Sequence, residues 1–291
     1  MFDINRINEI KENPERFRLL ERIPYSASDS YPIHIHDTVG DEITLALIDF
    51  ETTGFTAGIN EVIELGMVQV AYSPSIRKIT AIKEMLSQFE QPNTEISQEI
   101  TAITGITNEM VAGQSIDDAH VARLVNESVI LIAHNASFDR SFWDARFKGM
   151  ADRVWACSVK DIDWYAIGFE SAKLEYLLLK NGYFYDGHRA ATDCLAMVQL
   201  FEAAPNSLHE AIQAAKQVSV KILAKGVAYA DREIVKKRGY RWDADSKYWW
   251  FIVTDENYDE EKLFLDKLCG SGKHKNEFVV IKPCERYSSN V

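Results

Sequence analysis

The chain has 291 residues, of which 46% are hydrophobic and 26% charged, and its formal net charge is −12. This is ordinary globular composition, enough for one large domain or for one with a small partner. A net negative charge argues against non-specific DNA binding through a global positive field, and no run of 18 or more apolar residues marks a transmembrane helix.

Residues 1–40 read as a lead-in: the segment "NEIKENPERFRLLERI" has an apolar stripe interrupted by Pro14, and "SASDSYP" reads as loop. The N-terminus is charged and lacks the apolar core of a signal peptide. His34 and His36 flank Ile35 and would share a face on a strand. With no third ligand nearby in sequence, the pair reads as polar strand or loop rather than a metal site.

From residue 41 to 205 strands and helices alternate after an initial meander. "EITLALID", "EVIELGMVQVAYS" and "RKITAIKEMLSQF" read as three strands, the first two joined by the loop "TTGFTAGIN". "SQEITAITGIT" and "IDDAHVARLVNES" read as helices, "VILIAH" as a buried strand and "ASFDRSFWDARF" as a helix. "KLEYLLLKNG" is a helix stopped by Asn181 and Gly182, and "RAATDCLAMVQLFEAA" is another, ended by Pro205. The pattern predicts an α/β fold with a sheet of mixed direction.

Residues 206–291 read as a helical linker followed by a small α+β module. Its elements run β-α-β-β-α-β, the order of a ferredoxin-like unit, with a hairpin around "DADS". Residues 217–291 carry 14 basic and 12 acidic side chains, against 18 and 32 in the rest of the chain. Tyr240, Trp242, Tyr248, Trp249 and Trp250 stand there among Lys236, Lys237, Arg238, Arg241 and Lys247. Such interleaving suits stacking on single strands, while alternating aromatics would equally fill the core of so small a module. The four cysteines are widely spread with no zinc-type spacing, which predicts reduced thiols and a cytoplasmic protein.

The stretch "LIDFETTG" ends an apolar run on Asp49, and Glu51 follows two places later. On a strand the two carboxylates face the same side. They repel unless a cation lies between them, and hard carboxylate oxygens suit Mg²⁺ or Mn²⁺. A solvated strand end would explain the pair alone. Asp139 follows a buried strand in the first turn of a helix, where the dipole alone would favour an acid. Asn135 reads equally as a cap. His188 lies five residues before Asp193 near another helix start.

Taken together, "DFETTG", "HNASFD" and "HRAATD" closely resemble the three motifs of the DEDDh 3′–5′ exonucleases, a family that includes the proofreading epsilon subunit of bacterial replicative polymerases, RNase T and oligoribonuclease. "ITGIT" followed by "NEMV" resembles a segment between the first two motifs, and the resemblance covers residues 43–203. It implies a ribonuclease H-like fold: a mixed β-sheet flanked by helices. It implies that Asp49, Glu51, Asp139 and Asp193 hold two divalent ions, Mg²⁺ or Mn²⁺, and that His188 is the general base. Thr52, Thr53, Gly54, Phe55 and Asn135 would bind substrate, with Phe55 placed as an apolar wedge against the last base. Phe50 stands where the motif often has threonine, and its side chain is expected on the opposite, buried face. Thr104 stands where many relatives have a histidine. Phe138 is expected in the core. The implied partner is nucleic acid with a 3′ end, single-stranded DNA in repair or editing, or alternatively RNA, with a DNA polymerase as a further candidate partner. A reading of another class is an idle adaptor built on a decayed nuclease; all five motif positions being filled speaks against it.

Overall fold

The structure is a computed structural model that describes residues 4–150, 152–204, 206–269 and 276–288. The lead-in holds a short helix α1 (Ile7–Glu12) and two two-residue strands, β1 (Glu21–Arg22) and β2 (Ile33–His34). Three long strands follow: β3 (Ile43–Thr52), β4 (Val62–Ser73) and β5 (Lys78–Phe89). Helices α2 (Gln98–Thr104), α3 (Asn108–Val111) and α4 (Asp118–Glu127) lead to β6 (Ile130–Ala133), α5 (Ala136–Arg146) and β7 (Trp155–Cys157). Then come α6 (Leu174–Lys180), β8 (Tyr183–Phe184), α7 (Ala190–Ala203) and α8 (Ser207–Lys216). Pro205, expected to end α7, lies outside the described residues.

Six strands form the main sheet in the order β2-β5-β4-β3-β6-β7. The meander β3-β4-β5 and the edge strand β2 pair antiparallel, whereas β3-β6 and β6-β7 are parallel. The mixed sheet read from the sequence is therefore present. The lead-in contributes more order than expected: β2 closes one edge, and β1 pairs with β8.

Alternation along β3 splits its side chains between two cores. Leu45 and Leu47 pack on the layer that holds α6, α7 and α8, and Ala46, Ile48 and Phe50 on the layer that holds α4 and α5. Phe50 meets Trp143 and Phe147, on the buried face anticipated for it. Asp49 and Glu51 continue the Leu45–Leu47 face and so point toward α7. The approach of that helix is close: a Cβ on Gly66 of β4 would lie 2.2 Å from the carbonyl carbon of Ala190, so only glycine fits there.

The rest of the chain is β9 (Ser219–Ala224), α9 (Arg232–Lys237), β10 (Arg241–Asp243), β11 (Tyr248–Thr254), α10 (Asp255–Cys269) and β12 (Glu277–Ile281). These four strands make an extra antiparallel sheet in the order β10-β11-β9-β12. Its core is Val220, Ile222, Val253, Tyr240 and Leu265, with Trp249 and Phe251 packed against it. Among the described residues no helix is long and apolar enough to cross a membrane.

Candidate metal centre and cleft

Three elements deliver the acidic residues to one place, at the carboxyl ends of the parallel strands, where open α/β sheets usually bind ligands. Asp49 and Glu51 come from the end of β3, where the register with β4 slips between Glu51 and Thr52. Asp139 stands in the first turn of α5, which starts just after β6 ends. Asp193 stands in the first turn of α7. One oxygen each of Asp49, Glu51 and Asp193 lie within 4.8 Å of one another, the one such group of metal-ligating side chains among the described residues. Asp139 is buried beside them, and its Oδ1 has no hydrogen-bond partner among the described residues.

The electrostatics follow from this crowding. Burial, and then the charges of Asp139, Asp193, Glu51 and Glu64, push the Asp49 carboxyl far above its ordinary range. Burial and the charge of Asp193 push Glu51 up to about 8, and burial pushes Asp139 up to about 7. Asp193 is raised as well, against hydrogen bonds that favour its charged form. Four acids held this way repel one another unless a cation lies among them. The all-oxygen donor set and the orphaned Asp139 oxygen fit hard divalent ions.

Three further residues build the site, and the motif reading passed over them. Glu64 of β4 lies directly opposite Glu51 across the ladder and is fully buried. Its carboxylate accepts from Arg189 Nε at 3.1 Å and Nη2 at 3.0 Å, from the Ala190 amide at 3.2 Å and from Ser87 Oγ at 3.0 Å. Arg189 follows His188, so Glu64 fixes the segment that carries the histidine. Tyr185 donates its hydroxyl to Asp193 Oδ1 at 3.0 Å, and the Arg189 amide donates to Oδ2 at 3.1 Å. The only sequence signal for this trio was a carboxylate inside an otherwise apolar strand and an arginine within the third motif.

His188 is exposed at the rim with a left-handed backbone, φ 66°. That conformation is uncommon outside glycine and asparagine. Together with His134, Asn135, Tyr185 and Asp193 it lines a cleft of about 480 Å³. His134 is largely buried, and that burial lowers its pKa to about 4. Asn135 occupies the cap position of α5 without a side-chain capping bond.

The loop after Glu51 is tied at its base. The Thr53 amide donates to the Glu61 carbonyl at 2.9 Å, and the Glu61 amide donates back to Thr53 Oγ1 at 3.0 Å. Thr52 Oγ1 donates to the Gly54 carbonyl at 2.6 Å. A Cβ on Gly54 would strike the Asn60 side chain at 2.6 Å. Phe55 is 83% exposed at the tip and is not a core anchor. Phe138 is half-buried against Phe142, Thr104 is buried, and its hydroxyl donates to the Ile100 carbonyl. His36 Nε2 lies 2.7 Å from Glu202 Oε2, and the histidine pair forms no metal cluster among the described residues.

A cluster of crowded carboxylates next to a cleft with an exposed histidine is the kind of site that holds divalent cations in phosphodiester-cleaving enzymes. Residues 46–201 match the family model of the exonucleases of RNase T type. The chain belongs to that family and is a DEDD-type 3′–5′ exonuclease. It is similar to DNA polymerase III of PolC type from Thermotoga maritima, 30% identical over 197 residues, which cover 61% of this chain and 13% of the relative. The corresponding polymerase of Bacillus subtilis is 35% identical over 115 residues, covering 38% and 7%. The chain thus spans a small fraction of the length of these curated relatives. Among solved structures, Exonuclease X in complex with 5′ overhanging duplex DNA is 24% identical, covering 58% of this chain and 99% of that one, with a TM-score of 0.44. The nuclease domain of 3′hExo, a DEDDh family member bound to rAMP, is 19% identical, covering 56% and 92%, with a TM-score of 0.43.

Proposed function

We propose that this exonuclease removes nucleotides from the 3′ end of single-stranded DNA with two divalent ions, Mg²⁺ or Mn²⁺, in repair or editing. The observation that carries the reading is the cluster of Asp49, Glu51 and Asp193, with buried Asp139 and its orphaned oxygen beside it, reaching through Asp193 the cleft that His188 rims. DNA rather than RNA is supported by the names of the relatives, which are DNA polymerases and make a polymerase the candidate partner. The main sheet, from about residue 41 to 205, is the catalytic unit of ribonuclease H-like type. Residues 206–291 form the linker and a second unit, whose strand order is the split β-α-β arrangement of ferredoxin-like modules.

Asp49, Glu51, Asp139 and Asp193 would hold the ions, which when bound supply a water of lowered pKa and relieve charge on the phosphate and the leaving oxygen. The protein does the rest. His188 takes the proton of the attacking water at its imidazole, and its rim position lets the proton pass to solvent. Glu64 and Arg189 keep His188 beside the carboxylates. Tyr185 and the Arg189 amide orient Asp193. Phe55 stacks on the terminal base from its loop tip, with Thr52, Thr53 and Gly54 shaping the turn beneath it, and Asn135 lines the path of the strand.

The test is degradation of matched 5′-labelled single-stranded DNA and RNA with Mg²⁺, Mn²⁺ or EDTA, beside Asp49→Ala. A metal-dependent ladder on DNA, absent in the variant, is expected. A ladder on RNA alone moves the protein to RNA 3′ ends, and no cleavage of either with either metal overturns the reading.

A further inference from the structure

The four-stranded sheet β10-β11-β9-β12 has two unlike faces. Helices α9 and α10 cover one, where Trp249, Phe251 and Val253 are packed. Alternation sends Tyr248, Trp250, Ile252 and Thr254 of β11 to the other. Cross-strand pairing places Arg241 beside Trp250 and Lys221 beside Ile252 on that same face. The Arg241 guanidinium lies 5.5 Å from the Trp250 ring centre and the Lys221 ammonium 5.3 Å. Lys225 lies 5.9 Å from the ring of Tyr248. Lys225 is itself paired with Glu277, and Asp243 lies opposite Tyr248 on the same face. Trp250 between Arg241 and Lys221, with Tyr248 beside it, forms a stacking platform for bases with charge for the backbone.

The face is also in the right place. It walls a cavity of about 700 Å³ whose other side is the catalytic unit. Arg241, Trp250, Ile252 and Thr254 line it from the sheet, and Ser137 and Lys160 line it from the nuclease. Ser137 stands in the first turn of α5, two residues from both Asn135 and Asp139. Lys160 Nζ donates to Ser137 Oγ at 2.7 Å, and Lys160 adjoins Val159, which lines the cleft of His188. The linings of the two hollows thus adjoin along the chain, Asn135 beside Ser137 and Val159 beside Lys160. Asp161, the one acid on this side of the cavity, is neutralised by Arg286.

We infer that the open face of this sheet binds the single-stranded nucleic acid upstream of the 3′ end, its bases stacked on Trp250 and Tyr248 and its phosphates met by Arg241, Lys221 and Lys160. This deepens the proposed exonuclease reading and rests on it for the position of the 3′ end. The occupant follows from charge complementarity, since Lys160, Arg241 and Arg286 line the cavity against Asp161, and from the nearness of that lining to the catalytic cleft along the chain. Stacking serves DNA and RNA alike, so both strands are arms of the test.

The experiment compares full-length wild type with Trp250→Ala, Trp250→Phe and Arg241→Gln in Mg²⁺. The substrates are DNA and RNA oligonucleotides of about 4 and about 20 nucleotides, one filling only the cleft and the other reaching the sheet. On the long strand Trp250→Ala is expected to raise KM about tenfold or more with kcat unchanged, the loss of one stacked base. On the short strand it changes neither. Trp250→Phe, which keeps a ring and spares the fold, restores most of the KM. A larger effect on DNA or on RNA names the natural strand. If wild type cuts both lengths and the three variants match it on the long strand, the inference is overturned and the exonuclease reading stands. If wild type cuts nothing, the exonuclease reading fails. Anisotropy of the labelled long strand in EDTA then decides this face: tenfold weaker binding by Trp250→Ala supports it, and equal binding overturns it.

Discussion

The carboxyls of Asp49, Glu51, Asp139 and Asp193 bind protons more tightly in the folded chain than they would unfolded. A group of this kind stabilises the fold fully below its unfolded pKa, about 4, and that stability is lost as pH rises through the folded value. The cited values are about 7 for Asp139 and about 8 for Glu51. The metal-free protein should therefore melt several degrees lower at pH 8 than at pH 5, and Mg²⁺ should recover most of the difference. Asp49→Asn should melt higher than wild type at pH 8 in EDTA, gain little from Mg²⁺ and show no activity. Scanning calorimetry across pH with and without Mg²⁺ checks the melting behaviour, and digestion of a labelled strand checks the activity. A second expectation separates base from ligands: His188→Ala should lower kcat by about 10²–10⁴-fold and leave the Mg²⁺-induced rise in Tm intact. Each acid and the histidine, alone, reads as a solvated strand end or a helix start; it is the three motifs together, through their family resemblance, that single them out in the sequence. Nothing singles out Glu64 and Arg189 in this way. Their role arises from pairing across the β3–β4 ladder and from a contact 125 residues apart in the chain, and no local pattern encodes either.

At the scale of elements, the site depends on how closely α7 sits on β4. Gly66→Ala would drive a methyl into the backbone of Ala190, one turn before Asp193. It is expected to destabilise the protein by about 1–3 kcal/mol, as overpacking does, and to weaken Mg²⁺ binding by displacing Asp193. Urea unfolding and a Mg²⁺ titration followed by Tm would read the two effects separately. The long strands and helices announce themselves through periodicity, as in "EVIELGMVQVAYS", which exceeds β4 by one residue. The short strands β1, β7 and β8 leave no such mark, because so few residues have no period to read, and β2 reads equally as strand or loop.

At the scale of the whole molecule, the six-stranded and four-stranded sheets are fastened together by residues 286 and 287. Asp161 accepts from the Arg286 guanidinium and from the Tyr287 hydroxyl, Arg286 also reaches the Ala214 carbonyl, and the Cys157 amide donates to Asp161 at 2.8 Å. The Asp161 and Arg286 side chains are nearly buried. Losing one partner of such a pair costs about 3–5 kcal/mol, so Asp161→Ala should lower stability by that order. It should also open the chain near residues 282–288 to proteolysis, seen as an early cut in a limited digest. The sequence supplied the order of elements in the second sheet and its alternating aromatics. Which of Tyr248, Trp249, Trp250 and Phe251 would be covered it did not, since alternation separates two faces without saying which one the helices take.

The distance along the chain between the parts of the catalytic cluster has a consequence for the newborn protein. Asp49 and Asp193 lie roughly 144 positions apart, so at about 5–20 residues per second the ribosome takes roughly 7–30 s to add the last ligand after the first. Until α7 has emerged from the exit tunnel and settled on β4, the nascent chain carries a sheet with three acids and no histidine. The acidic cluster is thus incomplete in the nascent chain until α7 has been made and has folded onto β4.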